Sequence, residues 1–581
     1  MLVFGDRCRR ENARERLAAI AEALAGVSQS PAGLARHAAL AAVLIDSGQL
    51  LQGVADAEFE KAALDRSTAA TEALQTWALE LARALCRSWD SGLADLGKLP
   101  TLPHVPDLPE AVELKTAEGF AFYAVYPEAY IDAARRLRLV SFPRVIGIRS
   151  IGATLAAVVG AALEAEPPIT LRPFGDPFAR RLAIDPALER KLLEGHPHYV
   201  IVDEGPGQSG SSFGAVADWL QDRGVPVDRI AFMPSHSGAL GPLASVRHRE
   251  RWAAAQRQPA DFDDRLPQLL TKWLLDLLGR LDGDALELSG GEWRRLTFAS
   301  EADWPPAIPM LERRKFLVAS GGEQFLVKFA GLGSTGEDKL RMARALHAAG
   351  FGAEPVGLIH GFLVERWRSD AQPLAPAERP VEEIGRYLGA RGRLFPACDA
   401  DGASVAELYE MARRNITLAL GDGAASAIER WQPAVDRLQA RARRIRTDNR
   451  LDRHEWLRNS DGRLLKMDAI DHHQAHDLIG CQDLAWDVAG AITELELQGE
   501  QVDRLISSTE QASGSIIDRE LLDFFCVAYA AFRLGLAEFG CSVSSQPEAE
   551  RIARSRDGYR GKLQRLLQPS STATRRECLV D

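Results

Sequence analysis

The sequence predicts an α/β protein in three parts: a helical N-terminal segment over 1–100, a parallel-sheet domain over 101–285 and an α+β second half over 290–581. Three observations predict it. Apolar residues recur at spacings of three and four in the first hundred residues, as in Leu17, Ile20, Leu24 and in Leu74, Trp77, Leu81, Leu85, the period of a helix buried along one face. From residue 120, short runs rich in β-branched residues alternate with helical stretches, the pattern of parallel βαβ units. From about 290 the period changes again, to hairpins and helices.

Composition bounds the possibilities. At 581 residues the length suggests about four domains. With 46% hydrophobic and 26% charged residues the chain is ordinarily globular. A net charge of −11 and a pI of 5.7 give no electrostatic reason to expect nucleic acid or an anionic membrane as partner. Cys8, Cys86, Cys398, Cys481, Cys526, Cys541 and Cys578 are scattered without a CxxC pair. That argues against a disulfide framework or a structural zinc and points to a reducing, cytoplasmic setting. The first charges follow a four-residue apolar run, too short for a signal peptide, and no apolar run approaches the roughly 20 residues that span a bilayer.

Within the helical segment, the stretch 46–53 with its two glycines reads as a turn or kink, and the segment as a packing or substrate-covering module. Prolines at 100, 103, 106 and 109 then mark a linker, because proline removes a donor and restricts the residue before it. Beyond it the pattern gives a strand over 120–126, a helix over 128–137 and a strand over 144–148. The loop Arg149-Ser150-Ile151-Gly152-Ala153-Thr154 precedes a helix over 155–163. A strand over 169–172 leads into a basic, aromatic loop over 173–181 that reads as a mobile flap or equally as a solvated surface loop. A strand over 229–233 ends beside His236, which is placed to touch a ligand at the carboxyl edge of the sheet.

The chemistry concentrates between residues 199 and 213. Tyr199-Val200-Ile201-Val202 reads as a short buried strand, Asp203 and Glu204 close it, and a glycine- and serine-rich loop leads into a helix from Ser212. A phosphate in that loop would meet free backbone N–H groups, the positive end of the helix dipole and the hydroxyls of Ser209, Ser211 and Ser212. The two carboxylates would accept hydrogen bonds from sugar hydroxyls. A phosphorylated sugar suits both halves.

This stretch resembles the phosphoribosyl-diphosphate (PRPP) loop of type I phosphoribosyltransferases. The resemblance implies that Asp203 and Glu204 serve the ribose hydroxyls and catalysis, and that Ser209-Gly210-Ser211-Ser212 holds the 5-phosphate. The loop has one residue more than the family pattern. Either it bulges at Gly205-Pro206-Gly207, or Glu204 fills the first acidic position and Gly205 the second. The loop of Arg149, Ser150 and Gly152 resembles the family's diphosphate-binding loop, one βα step earlier in the chain, with Arg149 neutralising the leaving diphosphate.

In the second half, a hairpin over 314–329 ends its second strand at Lys328, a helix follows over 337–349, and a strand over 361–367 carries Glu365. This resembles the small lobe of aminoglycoside-phosphotransferase-like kinases, a bilobal α+β fold. The resemblance implies nucleotide binding by Lys328 and Glu365. Asp461-Gly462-Arg463-Leu464-Leu465-Lys466-Met467-Asp468 resembles the family's hairpin ending in a magnesium-binding aspartate, and Asp483-Leu484-Ala485-Trp486-Asp487-Val488-Ala489 its Asp-x-Ala-x-Asp-x-Ala segment. The glycine-rich phosphate loop and the His-Gly-Asp catalytic run are missing. Asp448 and Asp452 are the candidates for the base, with Asp452 taken as catalytic and His454 or Glu455 near the metal-binding asparagine position. The dense run Asp471-His472-His473-Gln474-Ala475-His476-Asp477 reads as the polar loop after Asp468 rather than a transition-metal site. The apolar, aromatic stretch 521–539 reads as core.

The whole predicts a transferase that uses PRPP and an unidentified small-molecule acceptor, fused to a kinase-like half that takes ATP and magnesium. The alternatives are a PRPP- and nucleotide-sensing regulator with an inactive kinase half, and a sugar-phosphate hydrolase or lyase.

Overall fold

The computed structural model describes residues 1–5, 8–207, 209–241 and 243–568. Gln208 of the phosphate-loop stretch and Cys578 lie outside the described residues, and the six cysteines within them form no disulfide with one another.

Three helices, Ala13–Gln29, Leu34–Ala62 and Ala69–Asp90, make up most of the N-terminal segment. The first is capped by the Asn12 side chain, the third by a reciprocal Thr68–Thr71 pair. The stretch 46–53 does not break the second helix, contrary to the sequence reading. Its glycines serve close packing: a Cβ on Gly48 would fall 1.9 Å from Thr154 Oγ1, and one on Gly53 2.8 Å from Leu114 Cδ2. Its polar residues have partners too. Asp46 pairs with Arg16 at 2.5 Å. Gln52 bonds the main chain of Glu113 and Lys115, at 3.2 and 2.8 Å. This helix therefore beds on the helix Gly152–Ala162 and on the strand Ala111–Lys115, which pairs antiparallel with Cys8–Asn12. By length and apolarity Leu34–Ala62 and Arg519–Val543 resemble membrane spans, yet most of each apolar window is buried against the rest of the protein.

The stretch 120–126 is not a strand. It begins as a short helix, Glu118–Phe122, and turns into the helix Pro127–Ala134. Phe120, Ala121 and Phe122 are buried in succession, and the turn is fixed from outside: Gly119 N donates to Glu204 Oε2 at 3.0 Å and Leu332 N to Phe120 O at 2.9 Å. Tertiary contacts thus override the β-propensity of the aromatic residues.

The central sheet is wholly parallel, in the spatial order Ile169–Leu171, Pro143–Ile148, His198–Val202, Ile230–Met233, Gln256–Arg257. The strand His198–Val202 is buried on both faces, as its unbroken apolar run requires. Val200 and Val202 pack toward Gly152–Ala162 and the N-terminal helices, whereas Tyr199 and Ile201 join Phe213, Phe232 and Trp252 on the opposite face. A small hairpin, Phe174–Asp176 with Ala179–Arg181, occupies the basic stretch read as a flap or a surface loop.

In the second half, five antiparallel strands run in the order Leu286–Glu287, Lys315–Ser320, Glu323–Phe329, Phe362–Arg366, Pro355–Ile359, with the helix Ser334–Ala348 after the third in sequence. A mainly helical lobe follows, built around Leu484–Leu495 and Arg519–Val543. One face of the five-stranded sheet, including Phe325, Val327, Phe329 and Phe362, shares an apolar core with Tyr126, Phe262 and Trp273 of the first half. The chain's first residues belong with the helical lobe: Leu2 exchanges bonds of 2.8 and 2.9 Å with Asn415, and Leu478 N donates to Val3 O at 2.9 Å.

Candidate functional site

Two cavities adjoin where the halves meet. The larger, of about 760 Å³, opens at the carboxyl ends of the parallel strands and is lined by Ile148, Asp203, Glu204, Ser211, Ser212 and His236 among others. That edge is where open α/β sheets hold ligands. Asp203 Oδ1 accepts from Glu204 N at 2.9 Å and Glu204 Oε2 from Gly119 N. Among the described residues neither carboxylate forms an ion pair. Burial pushes Asp203 up to about 7. Burial, with Glu118 and Asp203 as like charges, pushes Glu204 to about 8. Two desolvated carboxyls, with Arg180 and Arg172 only partly offsetting the burial of Asp203, stand in the cavity wall, a state that costs stability.

The helix Ser211–Gln221 begins beside them. Gly210 caps it with φ at +59° and, having no side chain, bonds none of its N–H groups; Ser211 N donates to Ser209 Oγ at 3.3 Å, and the helix dipole with the N–H groups that follow is what an anion needs. The serine hydroxyls are arranged otherwise than expected: Ser209 Oγ and Ser211 Oγ donate to Pro177 O at 3.0 and 2.6 Å, tying the loop to the flap. A Cβ on Gly210 would strike Leu240 Cδ2 at 2.5 Å. That glycine therefore serves backbone geometry and packing against Leu240.

Arg149 does not face a leaving group with its charge uncommitted. Its guanidinium is buried, bonded to Asp56 at 2.8 Å, to Asp65, and to Thr170 O at 3.1 Å. Arg172 shares Asp56, and its backbone N donates to Asp65 at 2.8 Å. Against burial, these arginines hold Asp56 below the usual carboxylate range. The helical segment, in which sequence reading found no chemistry, thus supplies two carboxylates behind the cavity. Ser150 lines that wall, where the Arg149–Ser150 peptide is cis, and Gly152 starts the next helix. Of the arginines that line the cavity, Arg149, Arg172 and Arg314 are ion-paired, whereas Arg180 of the hairpin Phe174–Asp176 with Ala179–Arg181 has no ion pair among the described residues. Its signal was in the basic flap sequence. His236 lines the same cavity, its Nδ1 accepting from Gly238 N at 3.1 Å, and burial lowers its pKa.

The smaller cavity, of about 300 Å³, lies between the five-stranded sheet and the helical lobe, lined by Lys328, Glu365, Glu455, Asp468 and His472 among others. Lys328 Nζ stands 2.7 Å from both Asp468 Oδ1 and Asp471 Oδ2. Lys339, from the helix Ser334–Ala348, reaches Asp471 Oδ1 at 2.6 Å. Burial works against charge on Lys328, but Asp468 and Asp471 hold it above its ordinary range. On Lys339 burial prevails and brings it to about 8. Burial also raises Glu365, against the pull of Lys328. Asp468 follows the hairpin Trp456–Arg458 with Leu464–Lys466 and carries φ at +54°. Glu455, Asp468 and His472 present ligand atoms within 4.8 Å of one another. Two carboxylates and an imidazole suit a divalent ion that keeps part of its water shell.

Asp452, expected as the base, is held by Arg533 through two bonds of 2.9 and 3.0 Å, and Arg533 also binds Glu494 at 2.6 Å. Its carboxylate is neutralised at the cavity floor. Asp448 is buried, accepting from Tyr387 Oη with Lys466 at 3.3 Å. Asp487 explains why this loop is ordered: its carboxylate accepts from Asp448 N at 2.8 Å and Asn449 N at 3.0 Å. The next side chain, which lines the cavity, is Arg450, paired with Asp477 at 2.5 Å. Of the run 471–477, His472 stands by Asp468, Asp477 takes Arg450, and His476 Nδ1 lies 2.6 Å from Glu118 Oε1.

Tyr123, Leu311 and His476 line both cavities. Consecutive residues make the partition: Glu118 holds His476 of the second half while Gly119 N holds Glu204 of the first.

No protein-family model matches the sequence, and no curated protein matches it. Solved structures similar to the chain include a choline kinase from Streptococcus pneumoniae, 13% identical over 51% of this chain and 99% of that one, at a TM-score of 0.35. A macrolide 2′-phosphotransferase type I matches at 13% identity over 51% of this chain and 95% of its own, TM-score 0.33. A spectinomycin phosphotransferase in complex with ADP and spectinomycin matches at 12% identity over 52% and 94%, TM-score 0.31. At such scores the likeness adds nothing to the chemistry, which rests on the residues above.

Proposed function

We propose that this chain is a cytoplasmic two-site protein: a phosphoribosyltransferase that takes PRPP in the larger cavity, joined to a half that binds ATP and magnesium in the smaller one. The observation that carries the first part is the pair Asp203 and Glu204, desolvated and without an ion pair among the described residues, beside the glycine-capped N-terminus of Ser211–Gln221. In this reading the carboxylates accept from the ribose hydroxyls. The N–H groups at the helix start take the 5-phosphate, Arg180 on the flap meets the diphosphate, and the acceptor enters beside His236. Each hydrogen bond to a charged group contributes about 1.5–3 kcal/mol.

For the second half, Lys328 would meet nucleotide phosphates, while Asp468 with Glu455 or His472 would hold magnesium, the charge arrangement phosphoryl transfer requires. A nucleotide-sensing role is favoured there by one observation. The base candidate Asp452 is committed to Arg533, and the next cavity-lining group of that loop, Arg450, is a cation.

Thermal unfolding tests both sites separately. PRPP alone and magnesium-ATP alone, each at about 100 times Kd, stabilise a protein that binds them by about 2.7 kcal/mol. The reading requires both ligands to raise Tm. An unchanged Tm with PRPP up to millimolar concentration rejects the transferase half, and with magnesium-ATP the nucleotide half.

A further inference from the structure

Away from both cavities, three side chains far apart in sequence converge at the joint of the two halves. His37 comes from the helix Leu34–Ala62, Glu128 from Pro127–Ala134, and His360 from the turn between Pro355–Ile359 and Phe362–Arg366. His37 Nε2 lies 2.8 Å and His360 Nε2 3.2 Å from the same oxygen, Glu128 Oε1. The side chains of His37 and Glu128 are 0% exposed and that of His360 1%. Trp89, Tyr126 and Trp273 surround them.

Hydrogen bonding leaves this cluster unsatisfied. His37 Nδ1 is 2.8 Å from Ser88 Oγ, which orients the ring and turns Nε2 inward. Glu128 Oε2 and both ring nitrogens of His360 lack a hydrogen-bond partner among the described residues, so the 3.2 Å approach of His360 to Glu128 is not a well-aligned bond. Buried polar atoms without partners are rare in native proteins, and a bound ion is one of the few things that explains them. The ligand atoms of all three side chains fall within 4.8 Å of one another.

We propose that His37, Glu128 and His360 bind one divalent transition-metal ion, zinc by ligand type, which fastens the N-terminal helices, the parallel-sheet domain and the five-stranded sheet together. Two imidazole nitrogens with a carboxylate that can use both oxygens make a four-donor set without solvent, as a structural zinc requires. The Ser88 bond to His37 is the outer contact that metal-bound histidines characteristically make. Magnesium, which wants oxygen ligands and keeps its waters, does not suit a dry site with two imidazoles. The site uses no cysteine, which is why cysteine spacing gave no sign of it.

The test is metal content of the full-length protein after incubation with zinc chloride and exhaustive dialysis. Wild type and Asp468→Asn, which spares this cluster, are expected to retain close to one zinc per chain, and His360→Gln to lose at least tenfold. X-ray absorption at the zinc edge of wild type is expected to show imidazole scattering from two histidines. Zinc near zero in wild type, retention in His360→Gln, or loss in Asp468→Asn alone would each overturn the proposal. If His360→Gln fails to fold, Glu128→Gln and the wild-type absorption spectrum decide it: one or no histidine in the first shell rejects the site.

Discussion

Replacing Asp203 and Glu204 by their neutral isosteres is expected to stabilise the protein while weakening sugar-phosphate binding at least tenfold. In the unfolded chain both side chains titrate near 4. Folding moves them to about 7 and about 8, chiefly through burial. The folded state therefore binds more protons over that window, and these groups make stability fall as pH rises from about 4 to about 8. About three pH units on one group, at about 1.36 kcal/mol per unit, set an upper bound near 4 kcal/mol. Both carboxyls border an open cavity, and solvent screening there reduces the expected effect to about 1–2 kcal/mol for the pair. Asp203→Asn with Glu204→Gln removes that penalty and keeps an oxygen to accept from Glu204 N and Gly119 N. Calorimetric Tm at pH 8 should rise by about 2–8 °C for a cooperative unit of about 200 residues. At pH 4.5 the difference should shrink toward zero. A rise of the same size at both pH values, or a fall at pH 8, would refute the claim that two uncompensated acids sit in this wall.

Three further outcomes follow from the ion pairs. Lys328→Met leaves Asp468 without its lysine; it should abolish magnesium-ATP binding in a fluorescent-nucleotide titration and cost about 3–5 kcal/mol in urea unfolding. Arg533→Met strands Asp452 and Glu494 and should cost a similar amount, whereas Asp452→Asn should leave nucleotide affinity within twofold, because Asp452 acts through packing and not on the nucleotide. Since Glu118 and Gly119 join His476 to Glu204, saturating magnesium-ATP should change the PRPP dissociation constant several-fold, and reciprocally, in paired calorimetric titrations. Glu118→Gln should remove that coupling while each ligand still binds alone.

Local pattern made the elements legible and long-range partnership made the site illegible. The unbroken apolar run 199–202, the two acids after it and the glycine-capped helix were readable because strand, turn and helix start are decided within a few residues. So was the hairpin carrying Lys328. Arg149 was misjudged because its partners Asp56 and Asp65 lie 93 and 84 residues away, and Asp452 because Arg533 is 81 residues distant. The same cause explains both errors of secondary structure. Glycines at 48 and 53 look like a break until Thr154 and Leu114 are packed against them, and Phe120 to Tyr126 look like a strand until Glu204 and Leu332 hold the turn.

An equilibrium titration of PRPP with magnesium at pH 7.5, into wild type and into the folded Asp203→Asn, Glu204→Gln variant, decides whether this acidic pair holds a sugar phosphate. One saturable site per chain is expected in wild type, weakened at least tenfold in the variant, because two hydrogen bonds to charged acceptors are lost. Equal affinity in the two proteins, or no binding to wild type at millimolar PRPP, would show that the cavity at the end of His198–Val202 serves another ligand.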